Sequence, residues 1–221
     1  MVRHTSSMAR RSSLLDAVRK KRGYVLPYHR LMAELDPELL ITYDAFYTRL
    51  TLTGRVLSPP EKETVWVALI AATRARVGTL HLGRAVKAGM SKDAIADAVA
   101  IAAACEALDA LAFAKDAFPE WVDEARAVKR YLRAFDAARG RTPPVLAEIA
   151  AVVAHASQRR AAGMRIHLVR AFKRGAKREQ VAEALSFALL HCGGPTMVDA
   201  TQCWIDAAKQ KRIPAPFRGK A

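Results

Sequence analysis

One stretch of the chain occurs twice. HLGRAVKAGMSKDAIADAV begins at His81 and HLVRAFKRGAKREQVAEAL begins at His167, a constant offset of 86 residues. This offset exceeds the roughly 20–50 residues of solenoid repeats, so it indicates duplication of a helical unit of domain size. We expect positions shared by both copies to serve the architecture. Positions present in only one copy are the better functional candidates.

Helix start and stop signals recur along the chain, whereas strand patterns are scarce. Ser58-Pro59-Pro60-Glu61 has the spacing of a capping box with Pro at the first helical position. Pro119-Glu120-Trp121 predicts the start of a linking helix that runs to about Ala138, and Gly193-Gly194-Pro195 predicts an interruption before a last helix. With apolar residues at i, i+3, i+4 and i+7, the sequence predicts an all-α protein. Its two tandem helical repeats pack into one multi-helix unit.

The net charge of +15 is concentrated at the two ends of the chain. The first 30 residues hold eight Lys/Arg against one acidic residue, and the last 15 hold five Lys/Arg and no acidic residue. Such ends can attach weakly to nucleic acid by charge alone, although solvated extensions are the simpler interpretation. The predicted organisation is a basic N-terminal extension (1–25), a first repeat with a linking helix (26–138), a second repeat (139–209) and a basic C-terminal tail (210–221).

Composition argues against several protein classes. No apolar stretch approaches the roughly 18–20 residues of a membrane-spanning helix, and the longest candidate, Ala94–Ala104, contains Asp97. The cysteines Cys105, Cys192 and Cys203 are too few and too scattered for a disulfide framework. We therefore expect a soluble cytoplasmic protein that does not contact a membrane.

The pattern His-x-x-x-Ala-x-x-x-Gly-x-(Ser/Lys)-x-(Asp/Glu)-x-(Ile/Val) occurs at His81–Ile95 and again at His167–Val181. Together with the helix start Pro60-Glu61-Lys62-Glu63, it resembles the carboxymuconolactone decarboxylase and AhpD-like family over about residues 30–208. The resemblance implies two tandem AhpD-like helical repeats in a fold that assembles into homo-oligomers, here a dimer or trimer. It also implies active sites between helices and often between subunits.

The family has two chemical branches, and this chain lacks the residues of one. The AhpD-like branch reduces peroxides through Cys-x-x-Cys-x-x-x-His. Here the two cysteine positions hold Arg74 and Val77 in the first copy, and Arg160 and Gly163 in the second. A thiol redox cycle needs an attacking thiolate and a resolving thiol within reach. The resemblance therefore favours the decarboxylase-like branch, which does not need these cysteines.

The second copy is richer in polar groups than the first. Glu148 and His155 lie seven residues apart on one helix face, about 10 Å along the axis, so they could flank a small ligand. Glu148 also lies 19 residues before His167, where the resemblance places a functional glutamate. No H-x-x-x-H or H-E-x-x-H spacing occurs, so neither a metal nor a cofactor is predicted. The candidate catalytic set is Glu148, His155, His167 and His191; the alternative is that each is an individually satisfied core or surface residue.

Four further residues are candidates for substrate binding. Arg84 and Arg170 lie three residues after the motif histidines, where a guanidinium could hold a carboxylate. A salt bridge to Asp97, to Glu183 or to a neighbouring subunit is an equal alternative for them. Cys192 and Trp204 have simpler explanations as core residues. The substrate-binding set is Arg170, Arg84, Cys192 and Trp204, and the first-repeat counterparts of the catalytic group are His81 and Glu63.

These observations support one leading hypothesis and two alternatives. The leading hypothesis is a cofactor-independent lyase that acts on a small organic acid or lactone by proton transfer, in a decarboxylation or isomerisation. An arginine would anchor the substrate carboxylate while His167 or His155 moves the proton. The first alternative is a peroxidase relative with residual or lost thiol activity at Cys192 or Cys105. The second is a non-enzymatic oligomeric binding protein whose basic ends attach to an acidic partner.

Overall fold

A computed structural model of the protein describes residues 2–211 and 213–217, with side chains from residue 9 onward. The described residues form ten α-helices and no strand, which confirms the all-α prediction. The chain divides into two compact units, residues 1–53 and 54–221. The helices are α1 (Val2–Arg22), α2 (Pro27–Leu35), α3 (Pro37–Tyr47), α4 (Pro59–Thr73), α5 (Leu80–Lys87), α6 (Lys92–Ala117), α7 (Glu124–Ala138), α8 (Pro144–Ser157), α9 (Ala161–Lys173) and α10 (Arg178–Lys211).

The first unit contains α1, α2 and α3 around a small apolar core of Val18, Ala33 and Leu40. A π-helical segment, Thr48–Leu52, continues α3. The side chain of Arg22 is fully buried, and its Nη2 lies 2.7 Å from Oδ1 of Asp44. The segment predicted as a solvated extension at residues 1–25 therefore contributes buried residues to this unit, because α1 turns an apolar stripe toward its neighbours.

Helix starts in the second unit follow the sequence signals with one exception. At α4, the Glu61 carboxylate accepts from the Ser58 N–H at 2.8 Å, as the capping box predicts. The linking helix was expected from Pro119, but α7 starts at Glu124. Asp123 caps it by accepting from the Arg126 N–H at 2.6 Å. The prediction at Pro119 was wrong because a proline at the first position fixes φ without supplying a side-chain cap.

The central helices of the second unit, α4 and α8, are equivalent in the two copies and pack against each other. Where they meet, the Gln158 side-chain amide donates to the Ala72 carbonyl at 2.7 Å, and these two residues are themselves 86 positions apart. α6 of the first copy also packs on α8, and α10 of the second copy packs on α4. The two copies thus share one core, with contacts of the kind found across a two-fold dimer interface.

Two carboxylates, one in each copy, make equivalent contacts with the other copy. Glu183 on α10 accepts from the N–H groups of Val56 and Leu57, at 2.6 and 2.9 Å, in the loop before α4. Its counterpart Asp97 on α6 accepts from the Arg141 N–H at 2.8 Å, in the loop before α8. Each copy therefore supplies a carboxylate that holds the start of the central helix of the other copy.

Helix α10 is broken where the sequence predicted an interruption. Gly193 has φ 83° and ψ 177°, outside the helical region, and Pro195 follows it. By length and composition alone, α10 is the one described helix that could cross a membrane. Phe187 and Trp204 on α10 are buried inside the unit, as in the core helix of a folded domain.

The predicted C-terminal tail, 210–221, lies partly outside the described residues, which omit 212 and 218–221. Its described part is tied to the core, since Nε1 of Trp204 donates to the Pro214 carbonyl at 2.8 Å. Ile213 beside it is buried.

Candidate functional site

Glu148 on α8 and His167 on α9 form a buried pair. Oε2 of Glu148 lies 2.7 Å from Nδ1 of His167, and both residues are fully buried. A carboxylate only accepts hydrogen bonds, so Nδ1 of His167 carries the proton and its Nε2 is left as an acceptor. Burial lowers the pKa of His167, and the hydrogen bond to Glu148 opposes that shift. The carboxylate therefore selects the tautomer of the imidazole.

The second oxygen of Glu148 is held by two arginines. Nε of Arg170 lies 2.7 Å from Oε1, and Nε of Arg174 lies 3.2 Å from it. Arg170 also pairs with Asp136 on α7 at 2.6 Å. Burial lowers the pKa of Arg170, but the ion pairs with Asp136 and Glu148 outweigh it and raise the pKa. Arg170, expected to anchor a substrate carboxylate, is thus engaged by two carboxylates of the protein itself.

Tyr131 on α7 extends the Glu148–His167 pair. Its hydroxyl oxygen lies 2.6 Å from Nε2 of His167 and 3.3 Å from Nε2 of His155. Because Nε2 of His167 is an acceptor, the Tyr131 O–H donates to it. The hydroxyl is also a hydrogen-bond neighbour of the Cys105 thiol on α6. One hydroxyl group therefore connects side chains from α6, α8 and α9.

His155 completes the group. Its ring stacks on that of His167 with centroids 5.3 Å apart. Burial, then the neighbouring His167, lowers the pKa of His155 to about 3, so the ring is neutral at physiological pH. Its Nδ1 has no hydrogen-bond partner among the described residues. A Cβ on Gly163 would lie 2.3 Å from Nδ1, so the glycine makes room for this imidazole.

The thiol and phenol of this cluster are protonated. Burial raises the pKa of Cys105 to about 12, and burial with the Cys105 contact raises that of Tyr131 further above its usual value. Burial also raises the pKa of Cys192. Since the thiolate is the reactive form of cysteine, neither thiol has the environment of a peroxidase nucleophile. The cluster of Glu148, His167, Tyr131, His155 and Cys105, hereafter the second-repeat cluster, is suited to moving protons.

A cavity of about 220 Å³ opens between α6, α7 and α9. Leu108 and Ala127 in its wall lie one helical turn from Cys105 and Tyr131, on the same helix faces. Its wall also includes Ile166, the residue before His167. The second-repeat cluster therefore lies about one helical turn from this cavity, although none of its five residues lines the cavity wall.

The first repeat carries a matching pair with a different surrounding. Nδ1 of His81 lies 2.9 Å from Oε2 of Glu63, and both residues are buried. The residue aligned with Glu148 is Lys62, so the carboxylate comes from the next position on α4. The Trp66 ring stacks on His81 with centroids 4.4 Å apart, whereas in the second copy the His155 ring stacks on His167.

His191 belongs with the first repeat, which corrects its assignment to the second-copy set. Its Nε2 lies 2.8 Å from Oγ1 of Thr73 on α4. Burial, then the neighbouring His81, lowers its pKa. The reason is the packing of the second unit, in which α10 of the second copy lies against α4 of the first. The position that aligns with His191 is Cys105, which enters the second-repeat cluster by the reciprocal contact of α6 with α8.

The remaining predicted residues lie in other places. Arg84 on α5 is half-buried, and its charge contributes to lowering the pKa of Lys62. Cys192 follows His191 and is half-buried. Trp204 packs on Phe172 with ring centroids 5.7 Å apart, in the core. Of the proposed catalytic set, the structure brings together Glu148, His155 and His167 and leaves His191 apart.

Tyr131 was missed by sequence reasoning, and Cys105 was considered there only as a possible peroxidase thiol. Ala127, Tyr131 and Phe135 recur every four residues on α7, and all three are buried. That stripe marks the buried face of α7, and a hydroxyl on such a face needs a partner. No comparable signal distinguishes Cys105 from an ordinary core residue.

Comparison with known proteins agrees with the duplication. The model of the carboxymuconolactone decarboxylase family matches residues 37–120 and again residues 123–206. The second match begins just before α7, so the helix that carries Tyr131 lies in the second copy, not in the first repeat as the boundary at residue 138 supposed. No curated protein and no solved structure matches the chain.

Proposed function

Because the chain belongs to the carboxymuconolactone decarboxylase family, we propose that its second repeat is a cofactor-independent proton-transfer site for a small organic acid or lactone. One observation carries the proposal, namely the continuous hydrogen-bond line Glu148–His167–Tyr131, which lies about one helical turn from the cavity wall. Membership alone does not define an activity, so the proposal depends on this geometry.

The line can pass a proton in either direction. When the Tyr131 oxygen takes a proton from a substrate carbon, its own proton moves to Nε2 of His167. The resulting imidazolium is stabilised by the Glu148 carboxylate on its other nitrogen, and the substrate carries the negative charge. Return of the proton to a different carbon gives an isomerisation. In a decarboxylation, loss of CO₂ leaves the electron pair on carbon, Tyr131 delivers its proton there, and a proton from solvent restores the phenol.

The surroundings favour this chemistry. The cluster is buried, so a charge developing on His167 is stabilised by fixed groups and not by water. Glu148 does not have to move, because Arg170 and Arg174 hold its other oxygen. General acid–base catalysis by such a line contributes roughly 10²–10⁴-fold in rate.

The cavity limits the substrate. Its volume of about 220 Å³ lies below the roughly 300–1,000 Å³ of pockets for drug-sized ligands. Most of its lining is aliphatic, and its charged residues are Lys115, Asp116 and Glu124. Lys115 and Glu124 form an exposed ion pair at 2.9 Å, which contributes little to stability. A substrate carboxylate can replace Glu124 as the partner of Lys115, and a neutral lactone needs no such exchange.

The test is hydrogen–deuterium exchange at carbon, which does not require the physiological substrate. A panel of small lactones and keto acids is incubated with the protein in D₂O, and loss of the α-proton signal is followed by NMR. Tyr131→Phe, Glu148→Ala and His167→Ala should each reduce exchange at least about 100-fold. His191→Asn is the matched histidine control and should retain it. Exchange that is undiminished in the Tyr131, Glu148 and His167 variants, or absent for the whole panel, contradicts the proposal.

A further inference from the structure

We propose that Cys105, His155 and His167 form a binding site for a thiophilic divalent cation, with Zn²⁺ as the principal candidate. Each residue offers one ligand atom, and the three atoms lie within 4.8 Å of one another. All three residues are fully buried, on α6, α8 and α9. This inference does not depend on the proposed proton transfer, because it concerns ligand geometry and not turnover.

The donor set suits zinc. Two imidazole nitrogens and a cysteine sulfur are ligands that Zn²⁺ takes in proteins, with Zn–N near 2.0–2.1 Å and Zn–S near 2.3 Å. Thiolate and imidazole together disfavour Mg²⁺ and Ca²⁺, which prefer oxygen. Tyr131 would occupy the fourth coordination position of the metal, because its hydroxyl already lies beside Nε2 of both histidines. Small side-chain movements bring the donors to bonding distance, because the three ligand atoms already lie within 4.8 Å of one another.

An outer shell for the metal is also present. A metal-bound histidine usually donates its second N–H to a carboxylate or carbonyl, which fixes the ring and raises its basicity. Nδ1 of His167 makes this contact with Glu148 at 2.7 Å, and Arg170 holds the carboxylate in turn. His155 would bind through Nε2, the nitrogen 3.3 Å from the Tyr131 hydroxyl, whereas its Nδ1 faces Gly163 and has no partner among the described residues.

Binding has a defined proton balance. The metal replaces the Tyr131 hydroxyl at Nε2 of His167 and binds Cys105 as the thiolate, so the thiol proton leaves to solvent, while Tyr131 coordinates as a neutral phenol and keeps its proton. The same Nε2 serves as the acceptor in the proposed proton line. A bound cation and proton transfer through His167 therefore exclude each other, and zinc should inhibit at this site.

The probe for the test is Co²⁺, because its visible spectrum reports tetrahedral coordination and its charge-transfer band reports a thiolate ligand. The full-length protein is treated with a chelator, titrated with Co²⁺, and then challenged with Zn²⁺. We expect one equivalent of Co²⁺ with a thiolate band, displaced by one equivalent of Zn²⁺. Metal analysis of protein grown with added zinc should likewise show one zinc per chain.

Matched variants localise the site. Cys105→Ala should abolish the band, whereas Cys203→Ala, at another buried cysteine, should leave it intact. His155→Leu copies Leu69, the aligned residue of the first repeat, and should weaken binding at least about 10-fold. This variant keeps the test decisive if Cys105→Ala does not fold, as judged by circular dichroism. Absence of stoichiometric binding to the wild type, a thiolate band that survives in Cys105→Ala, or an unchanged affinity in His155→Leu overturns the proposal.

Discussion

Oε2 of Glu148 and Nδ1 of His167 lie 2.7 Å apart at the centre of the second repeat, each fully buried. The first repeat has the same contact between Glu63 and His81 at 2.9 Å. Both copies therefore contain a carboxylate–imidazole pair, although Glu63 and Glu148 do not occupy aligned positions. A second imidazole lies near each pair, but only the second-copy pair also has a phenol and a thiol beside it, which is why the chemistry is proposed there.

Removing the Glu148 carboxylate should destabilise the second unit. Glu148→Ala leaves Nδ1 of His167 without an acceptor and frees Arg170 and Arg174 from their central partner. We expect a loss of about 2–4 kcal/mol in the free energy of unfolding. Glu148→Gln keeps an acceptor oxygen and should cost less, about 1–2 kcal/mol. Urea denaturation followed by tryptophan fluorescence measures both, and equal losses would show that the lost charge, and not the hydrogen bond, dominates.

Gly163 should not tolerate a side chain. A Cβ there would lie 2.3 Å from two atoms of the His155 ring, and that ring is enclosed by the core. Gly163→Ala should therefore lower the free energy of unfolding by about 1–3 kcal/mol and displace the His155 ring. Gly83→Ala is the control, since a Cβ at this position on α5 meets nothing within 4 Å. That variant should be neutral or stabilise by up to about 1 kcal/mol. Thermal denaturation compares the two, and equal melting temperatures would contradict the steric argument.

The two reciprocal carboxylates, Glu183 and Asp97, should contribute unequally to the free energy of unfolding. Glu183 is buried, accepts from two backbone N–H groups and lies 3.4 Å from Nε of Arg55. Asp97 is half-buried and accepts from one backbone N–H. We expect Glu183→Ala to lower the free energy of unfolding by about 2–4 kcal/mol and Asp97→Ala to lower it by about 1 kcal/mol. The reason is that a buried N–H group left without an acceptor destabilises the fold more than an exposed one, which water can satisfy. Chemical denaturation of each single variant and of the double variant measures this, and a larger loss at Asp97 would refute it.

The first unit should lose stability in mild acid. His29 is fully buried, and burial together with the Arg22 charge lowers its pKa to about 4. The unfolded chain, with a histidine pKa near 6.5, then binds the proton first as the pH falls. The contribution of neutral His29 to the free energy of unfolding is complete above about pH 6.5. It is lost progressively toward pH 4, by on the order of 3 kcal/mol. The pKa of the neighbouring Asp44 is lowered below 3.8 by its ion pairs despite burial, so Asp44 does not titrate in this window.

Hydrogen exchange of peptides from residues 27–47, corrected for the intrinsic pH dependence, measures this loss in the first unit alone. His29→Asn keeps a polar acceptor without the titrating ring. In that variant, the exchange should be faster at neutral pH and insensitive to pH between 4 and 6.5. A wild-type profile that is flat over the same range would refute the assignment to His29.

Local physical chemistry made much of this protein readable from its sequence. The 86-residue offset established two copies of one helical unit, because equal patterns of apolar residues bury equal faces. The capping box at Ser58 and the break at Gly193 were correct because helix ends depend on neighbours within four or five residues. The resemblance to the family, and not local physical chemistry, singled out Glu148 by its 19-residue separation from His167.

Tertiary packing decided the rest. His191 was expected beside His167 and lies instead beside Thr73 and His81, because α10 packs on the central helix of the other copy. Tyr131 and Cys105 reach the cluster from α7 and α6, far along the chain. Helical periodicity states which face of a helix is buried, but not which other helix covers it. The pairing of side chains from different helices, on which both the proton line and the metal site depend, is set only when the two copies share one core.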